Sequence, residues 1–206
     1  MSFFRLDRFI SLYLVSPFLA QNDSAQSGRI PILMYHSVSD EQEAVHPYYR
    51  VNTSPIIFEA HMRYLHENNY TAINLDDLDR FFKTGCNTKS VVITFDDGFH
   101  DFYTHAFPLL KKYDFSATVF LPSDYISDAR LSFDGKECMT WDEIRQLSAQ
   151  GIHFGSHSRT HPQLWFLTHD EIEHEIRSSK QAIEDKAGIP VQSFAYPFAI
   201  PEDASF

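Results

Sequence analysis

The chain has 206 residues, which is enough for one sizeable domain and too short for two ordinary ones. Hydrophobic residues make up 43% and charged residues 22%, a composition that excludes a mainly disordered, collagen-like or coiled-coil protein. The formal charge is −11, and a surface this acidic repels phosphate backbones, so nucleic-acid binding is not expected. Two cysteines are too few for a disulfide scaffold or a cysteine-based zinc site. The 11 histidines instead direct attention to a histidine-based metal site.

Residues 1–28 are predicted to be an N-terminal extension and linker, and residues 29–206 the folded domain. The apolar stretch at residues 9–20 is about half of the roughly 20 residues needed to span a bilayer. It also fits a signal peptide poorly, because Asp7 interrupts the positive region and the cleavage pattern is weak. We therefore favour a cytoplasmic or membrane-peripheral location slightly over export.

Strands and helices are predicted to alternate through the folded part. A buried strand at residues 30–36 is followed by a helix that opens at Ser54-Pro55 and buries Phe58, Met62 and Leu65. The remaining predicted strands are residues 71–74, 91–95, 117–121, 152–155 and 193–196. Two further helices are predicted at residues 76–83, where Gly85 ends the helix, and at residues 101–113. Two more helices open with capping boxes, one at Thr140 that ends at Gly151 and one at Thr168 that ends near Gly188. This alternation is typical of an α/β fold with a parallel sheet.

The first cluster with chemical potential is TFDDG, residues 94–98, directly after a predicted strand. Asp96 and Asp97 are adjacent carboxylates that repel each other and lose solvation there, so a cation would compensate them. One carboxylate could bind the cation while the other acts as a base. An ordinary Asp-Asp-Gly turn accounts for the motif equally well.

The second cluster is HSRTH, residues 157–161. Its two histidines are four residues apart and would lie on one face of a helical turn, where both imidazoles could reach one ion. The alternative is a solvated pair in a loop. Two imidazoles and one carboxylate suit Zn²⁺ and leave coordination positions open for hydrolysis. The third cluster, FAYPF at residues 194–198, is by itself a strand end followed by a proline.

These three clusters, in this order and each after a strand, resemble the polysaccharide deacetylases of carbohydrate esterase family 4, the NodB-homology domain. The opening PILMYHSV, residues 31–38, is similar to the branch that acts on poly-N-acetylglucosamine and related exopolysaccharides. The resemblance implies a distorted (β/α) barrel and a divalent metal, usually Zn²⁺. It also implies Asp97, His157 and His161 as metal ligands, Asp96 as the general base, and the backbone N–H of Phe198 as a donor to the oxyanion.

The chain departs from the family pattern at its C-terminal side. Ala195 stands where members commonly carry an Arg that tethers the base, and Ala199 where Gly is usual. A later Leu-x-His motif that donates the catalytic acid does not follow, so we expect a C-terminally truncated domain with an incomplete barrel. Residues 167–169 spell Leu-x-His, but Thr168 fits a helix N-cap better. His36 is another imidazole at a strand end, and the sequence gives no reason to assign it the acid role.

The implied activity is metal-dependent removal of N-acetyl groups from an N-acetylated polysaccharide. Two alternatives stay open: a catalytically impaired carbohydrate-binding or accessory module, and a hydrolase of a small linear or cyclic amide. An open groove lined by aromatic rings would favour the polymer, and a closed pocket the small amide. We also expect this chain to be less stable and less active than one extended through the later motifs, with metal binding retained.

Overall fold

The computed structural model describes residues 30–41, 51–84 and 89–198. The expected N-terminal extension, the Gly85 helix end and Ala199 lie outside these residues. No helix in the described ranges has both the length and the apolar composition needed to cross a membrane.

The centre of the fold is a parallel sheet. Its strand order is β1 (Ile32–Tyr35), β5 (Ser90–Phe95), β6 (Thr118–Leu121) and β9 (His153–Ser156), and β4 (Thr71–Ala72) pairs with the start of β5. All six residues of β5 are buried, as expected for a nearly continuous apolar run in the middle of a parallel sheet. The alternating α/β organisation predicted from the sequence is confirmed.

The register of these strands brings their carboxyl ends to one edge of the sheet. Tyr35 pairs with Phe95, and Phe95 pairs with Val119. On the far side of β6, Leu121 pairs with Ser156. The residues that directly follow these strands therefore emerge close together, which is where α/β barrels place their active sites.

Helices cover the sheet and begin where the sequence predicts. Helix α1 (Pro55–Glu67) buries the three predicted side chains, and the Ser54 hydroxyl accepts a hydrogen bond from the Ile57 N–H. Helix α2 (Leu78–Thr84) follows a 3₁₀ turn at Leu75–Asp77. The predicted helix at 101–113 is a π-helical stretch, Phe102–Ala106, that continues into α3 (Phe107–Lys112). Both capping boxes are present, opening α4 (Trp141–Ser148) and α5 (His169–Ala187), and α5 ends at Gly188 with φ 70°.

Short elements surround the carboxyl edge of the sheet. Strands β2 (Ser37–Val38) and β3 (Asn52–Thr53) pair in parallel, and β7 (Ser132–Phe133) and β8 (Lys136–Glu137) form an antiparallel hairpin. Two 3₁₀ turns follow β6 and β9, at Ser123–Tyr125 and Leu164–Phe166.

The prediction of a strand at residues 193–196 is wrong. Only a single bridge joins Phe194 to Ser156, with the Ser156 N–H donating to Ser193 O and the Ala195 N–H donating to Ser156 O, both at 3.0 Å. Pro190 and Pro197 flank this segment, and proline supplies no N–H to extend a ladder. Among the described residues the sheet is open rather than a closed barrel, and the arrangement matches a distorted barrel of the NodB type.

Candidate metal centre

The Asp96-Asp97 pair leaves the end of β5 in a tight turn. The Asp96 N–H donates to Tyr35 O at 2.9 Å, which ties the turn to the end of β1. Asp97 and Gly98 have φ values of 70° and 63°, a region that residues with a Cβ rarely adopt. A side chain at Gly98 would also collide with Leu121, because a Cβ there would lie 2.8 Å from Leu121 Cδ2. The turn expected as the alternative to a metal site is therefore present, and it carries both buried carboxylates into the edge of the sheet.

His157 and His161 lie on an irregular loop after β9, so the expected helical turn is wrong. Ser158 and His161 both have positive φ values, 64° and 56°. The two imidazole rings approach to 4.8 Å between centroids. Non-glycine residues in this backbone region are costly and are often found at functional sites. The sequence spacing indicated the convergence correctly, but the backbone achieves it differently.

Three potential ligand atoms converge at the edge of the sheet. Asp97 Oδ1 lies 3.6 Å from His157 Nε2 and 3.4 Å from His161 Nε2. Ligand atoms of the three residues all lie within 4.8 Å of one another. Asp97 Oδ1 is buried, and within the described residues it has no hydrogen-bond partner. A buried acceptor left without a donor is costly, and a cation between these atoms would satisfy it. The residues present therefore fit a metal ion.

A hydrogen bond at the other ring nitrogen of His157 orients its imidazole for metal binding. Its Nδ1 lies 3.0 Å from the Ala195 carbonyl oxygen, so Nδ1–H donates there and Nε2 is left to face Asp97. The Ala195 carbonyl belongs to the third cluster, at the position where the family commonly carries an Arg. Burial first, and then Coulombic repulsion from His161, lower the pKa of His157 to about 3. The imidazole is therefore neutral at pH 7, which is the form that binds a metal.

The carboxylate pair is also strongly shifted. Burial raises the pKa of Asp96 to about 7. Burial, followed by Coulombic repulsion from Asp96 and Asp134, raises the pKa of Asp97 to about 7. A carboxyl group whose pKa lies near the working pH is well matched to accepting a proton during catalysis.

The sequence showed His36 at a strand end, but it gave no reason to place this imidazole beside Asp96. It follows β1 as Asp96 follows β5, and the register of the two strands brings its Nε2 to 3.8 Å from Asp96 Oδ2. Burial first, and then Coulombic repulsion from His161, lower the pKa of His36 to about 4. Its position directly after a strand was visible in the sequence, whereas the pairing of β1 with β5, which brings it to Asp96, was not.

Aromatic rings lead away from the proposed ligands toward solvent. The Phe198 ring lies 4.8 Å from the His161 ring and 6.5 Å from Trp165, and Trp165 lies 5.8 Å from Phe166. Trp165 is 41% exposed and Phe198 47% exposed. Phe133 packs on another side of His161 at 4.9 Å. The candidate site thus lies beside an exposed row of rings, Phe198, Trp165 and Phe166.

Comparison with known proteins identifies the family. The sequence model of the family described as Polysaccharide deacetylase matches residues 83–205, which include all three clusters. The chain belongs to the polysaccharide deacetylase family. A relative from Bacillus subtilis (strain 168), YxkH, whose name assigns it to the polysaccharide deacetylases, is 32% identical over 171 residues. That match covers 82% of this chain and 56% of YxkH, so the chain spans little more than half of that relative.

Two further matches, one to a curated protein and one to a solved structure, agree with this family. The poly-beta-1,6-N-acetyl-D-glucosamine N-deacetylase of Escherichia coli (strain K12) is 28% identical over 152 residues, covering 68% of this chain and 22% of that protein. The solved structure of Streptococcus pyogenes deacetylase PplD in complex with acetate superposes with a TM-score of 0.72 at 24% identity. It covers 86% of this chain and 77% of that chain, and it supports the NodB-type fold alone.

Proposed function

We propose that this chain is a metal-dependent hydrolase that removes N-acetyl groups from an N-acetylated polysaccharide. The observation that carries the proposal is the buried, partnerless Asp97 Oδ1 facing the Nε2 atoms of His157 and His161. A second buried carboxylate, Asp96, stands beside it without entering this set. Family membership supports the reaction class, and the arrangement supports the division of roles.

Asp97, His157 and His161 are the residues that would hold the ion. Two neutral imidazoles and one carboxylate are a donor set that Zn²⁺ accepts readily. A bound divalent ion supplies Lewis acidity to the acetamide carbonyl and lowers the pKa of water.

Groups of the protein itself carry out proton transfer and oxyanion stabilisation. Asp96 accepts a proton from the attacking water at a carboxylate oxygen, and the water oxygen forms a bond to the acetamide carbonyl carbon. The C–N bond then breaks, the nitrogen takes up a proton, and acetate and a free amine result. The backbone N–H of Phe198 is the candidate donor to the developing oxyanion.

The proton for the leaving nitrogen requires a donor near Asp96, and His36 is the candidate that the geometry supports. Its Nε2 lies 3.8 Å from Asp96 Oδ2, close enough for a proton held at Asp96 to move to the imidazole after small adjustments. Burial lowers the pKa of His36 below that of Asp96, so the imidazole would hold the proton only transiently and would give it up readily to the more basic leaving nitrogen. This assignment supplies the acid function that the sequence comparison left without a residue.

A polymer is the favoured substrate over a small amide. The row of Phe198, Trp165 and Phe166 begins at the proposed ligand His161 and continues into solvent, which suits stacking of further sugar rings beyond the reacting acetamide. The name of the Escherichia coli relative supports an N-acetylglucosamine polymer as the class to test first.

The test is acetate release from poly-N-acetylglucosamine and chitooligosaccharides by the Zn²⁺-loaded protein, with N-acetylglucosamine monomer and a small cyclic amide as comparison substrates. We expect release from the oligosaccharides and little from the small substrates. The variants His157→Ala and His161→Ala should lose metal binding and activity together. Stoichiometric metal binding by both variants would overturn the site assignment.

The same experiment separates the alternatives. Metal binding and oligosaccharide binding without acetate release would indicate an impaired binding module. Faster hydrolysis of the small amide than of any oligosaccharide would indicate a small-amide hydrolase.

A further inference from the structure

Glu175 is a buried carboxylate on a helix whose nearest acidic residues are exposed. It lies in the second turn of α5 and is only 8% exposed, whereas Glu171 and Glu173 on the same helix are exposed. No step of the proposed reaction uses it. Buried carboxylates are rare unless their oxygens are satisfied, so its partners indicate what it does.

Both oxygens of Glu175 are hydrogen bonded to the segment between the two histidines. Oε2 accepts from the Arg159 N–H at 2.9 Å and from the Thr160 N–H at 2.8 Å. Oε1 accepts from the Thr160 hydroxyl at 2.9 Å. Backbone N–H groups directed at a carboxylate give charge-assisted hydrogen bonds, which are stronger than neutral ones.

The opposite side of this segment is held by the 3₁₀ turn after β6. The Ser123 N–H donates to Ser158 O at 3.3 Å, and the Asp124 N–H donates to Arg159 O at 3.0 Å. Residues 158–160 are therefore clamped between that turn and α5, with their carbonyls held on one side and their N–H groups on the other.

The clamp coincides with the backbone that brings the two imidazoles together. Ser158 and His161 adopt positive φ at either end of the clamped residues. Such conformations persist in non-glycine residues only where the surroundings hold them. Without the carboxylate, two partly buried N–H groups would lose their acceptor, and the loop would be free to relax toward ordinary backbone angles.

We propose that Glu175 is a positioning residue that holds the loop between His157 and His161 in the geometry required for metal binding. The proposal rests on the metal site proposed above and extends it to a residue on a different element. Contacts that orient metal ligands typically change metal affinity by roughly 10–100-fold when removed.

The test measures Zn²⁺ affinity of the full chain by competition with a chromophoric chelator. We expect Glu175→Ala to weaken the Kd by roughly 10–100-fold, because both N–H groups lose their acceptor. Glu175→Gln keeps the shape and one acceptor oxygen but loses the charge, so its loss should be smaller, roughly fivefold. The matched control is Glu173→Gln, which removes an exposed carboxylate from the same helix and should leave the Kd within twofold of the parent protein.

A second readout separates positioning from general stability. The absorption spectrum of the Co²⁺-loaded protein reports the geometry around the ion, and we expect it to change in the Glu175 variants but not in Glu173→Gln. An unchanged Kd and an unchanged Co²⁺ spectrum in Glu175→Gln and Glu175→Ala, whatever the melting temperature does, would overturn the proposal. If Glu175→Ala does not fold, the comparison of Glu175→Gln with Glu173→Gln decides alone.

The experiment also distinguishes an error in the metal-site assignment from an error in the role of Glu175. If the parent protein binds no Zn²⁺, or if His157→Ala binds it as tightly as the parent, the metal site itself is wrong. If the parent binds and His157→Ala does not, but the Glu175 variants match the control, only the role of Glu175 is wrong.

Discussion

Asp96 and Asp97 are neighbours in the chain, yet their carboxylates meet different partners. Asp97 Oδ1 faces the two imidazoles, whereas Asp96 Oδ2 faces His36. The left-handed φ of 70° at Asp97 turns the backbone between them and separates their side chains. The same turn thus places Asp97, the proposed metal ligand, beside the two imidazoles and Asp96, the proposed base, beside His36.

This separation predicts that Asp96→Asn binds metal normally but does not hydrolyse substrate. The amide keeps the size of the side chain and leaves the three proposed ligands untouched, but it cannot accept the proton from water. The measurements are Zn²⁺ stoichiometry and acetate release. Asp97→Asn is the matched comparison and should lose both. Loss of metal in Asp96→Asn, with retention in Asp97→Asn, would exchange the two roles.

The raised pKa of Asp96 predicts a pH-dependent stability in the metal-free protein. The folded state holds the proton up to a pKa of about 7, whereas the unfolded chain releases it near the ordinary value of 3.8. The stability that the group contributes is therefore fully present below about pH 4 and is lost as the pH rises through 7. The difference between the two pKa values corresponds to about 4 kcal/mol of unfolding free energy.

Asp96→Asn does not titrate, so its stability relative to the parent should rise with pH. Removal of Asp96 also relieves the repulsion on Asp97, which acts in the same direction. The measurement is the melting temperature of both proteins in excess chelator between pH 4.5 and pH 8. A difference that is constant, or that shrinks as the pH rises, would contradict the assigned pKa.

At the scale of elements, Asp101 joins the segment after β1 to the segment after β5. The Ser37 hydroxyl donates to Asp101 Oδ2 at 2.5 Å, and the Val38 N–H donates to Asp101 Oδ1 at 3.1 Å. Lys136 on β8 also donates to the Ser37 hydroxyl at 3.0 Å. These bonds fix the short strand β2, which directly follows His36.

We therefore expect Asp101→Ala to lower the free energy of unfolding by about 1–3 kcal/mol, because hydrogen bonds to a charged acceptor are lost and partly buried donors remain. Urea unfolding measures this. Asp142→Ala, which removes a well-exposed carboxylate at the start of α4, is the control and should change it by less than about 0.5 kcal/mol. Equal effects of the two substitutions would show that β2 is not held by Asp101.

The elements that could be predicted from the sequence are those governed by local signals. Capping boxes at Thr140 and Thr168, the proline-led α1 and the apolar run of β5 depend on residues close in the chain, and all are present. The loop that brings His157 and His161 together is held by hydrogen bonds that its N–H groups donate to Glu175, 15 and 16 residues away, so its backbone could not be predicted from spacing.

The same difference between local and long-range determinants decides which parts of the candidate site could be predicted. The first two clusters each follow a strand, and parallel register brings strand ends together, so one carboxylate of the Asp96-Asp97 pair could be predicted to lie near His157 and His161. The choice of Asp97 as the ligand came from the resemblance to the family. The contact of His36 with Asp96 required knowing that β1 and β5 are neighbours in the sheet, although helices and short strands lie between them in the chain. Strand order is a long-range property that one sequence does not state.

At the scale of the whole molecule, the row of Phe198, Trp165 and Phe166 should make the enzyme sensitive to substrate length. We expect Trp165→Ala to raise KM for a long oligosaccharide by roughly three- to tenfold, because a ring contact of about 1 kcal/mol is lost. KM for a monomer and the Zn²⁺ affinity should not change, since neither uses the outer ring. A uniform rise in KM for all substrate lengths would contradict a role in binding the polymer.

The proposed metal also connects two distant parts of the chain. Asp97 follows β5 and His157 and His161 follow β9, so an ion between them bridges the two strands across the intervening β6. An ion that binds only the folded state stabilises it by mass action, by about 2.7 kcal/mol at a free concentration 100 times its Kd. For a chain of this size we expect the melting temperature to rise by roughly 5–10 °C on saturation with Zn²⁺ and to fall back on chelation. Differential scanning calorimetry at fixed pH measures the shift, and His157→Ala should show none of it; a shift of equal size in that variant would place the stabilising ion elsewhere.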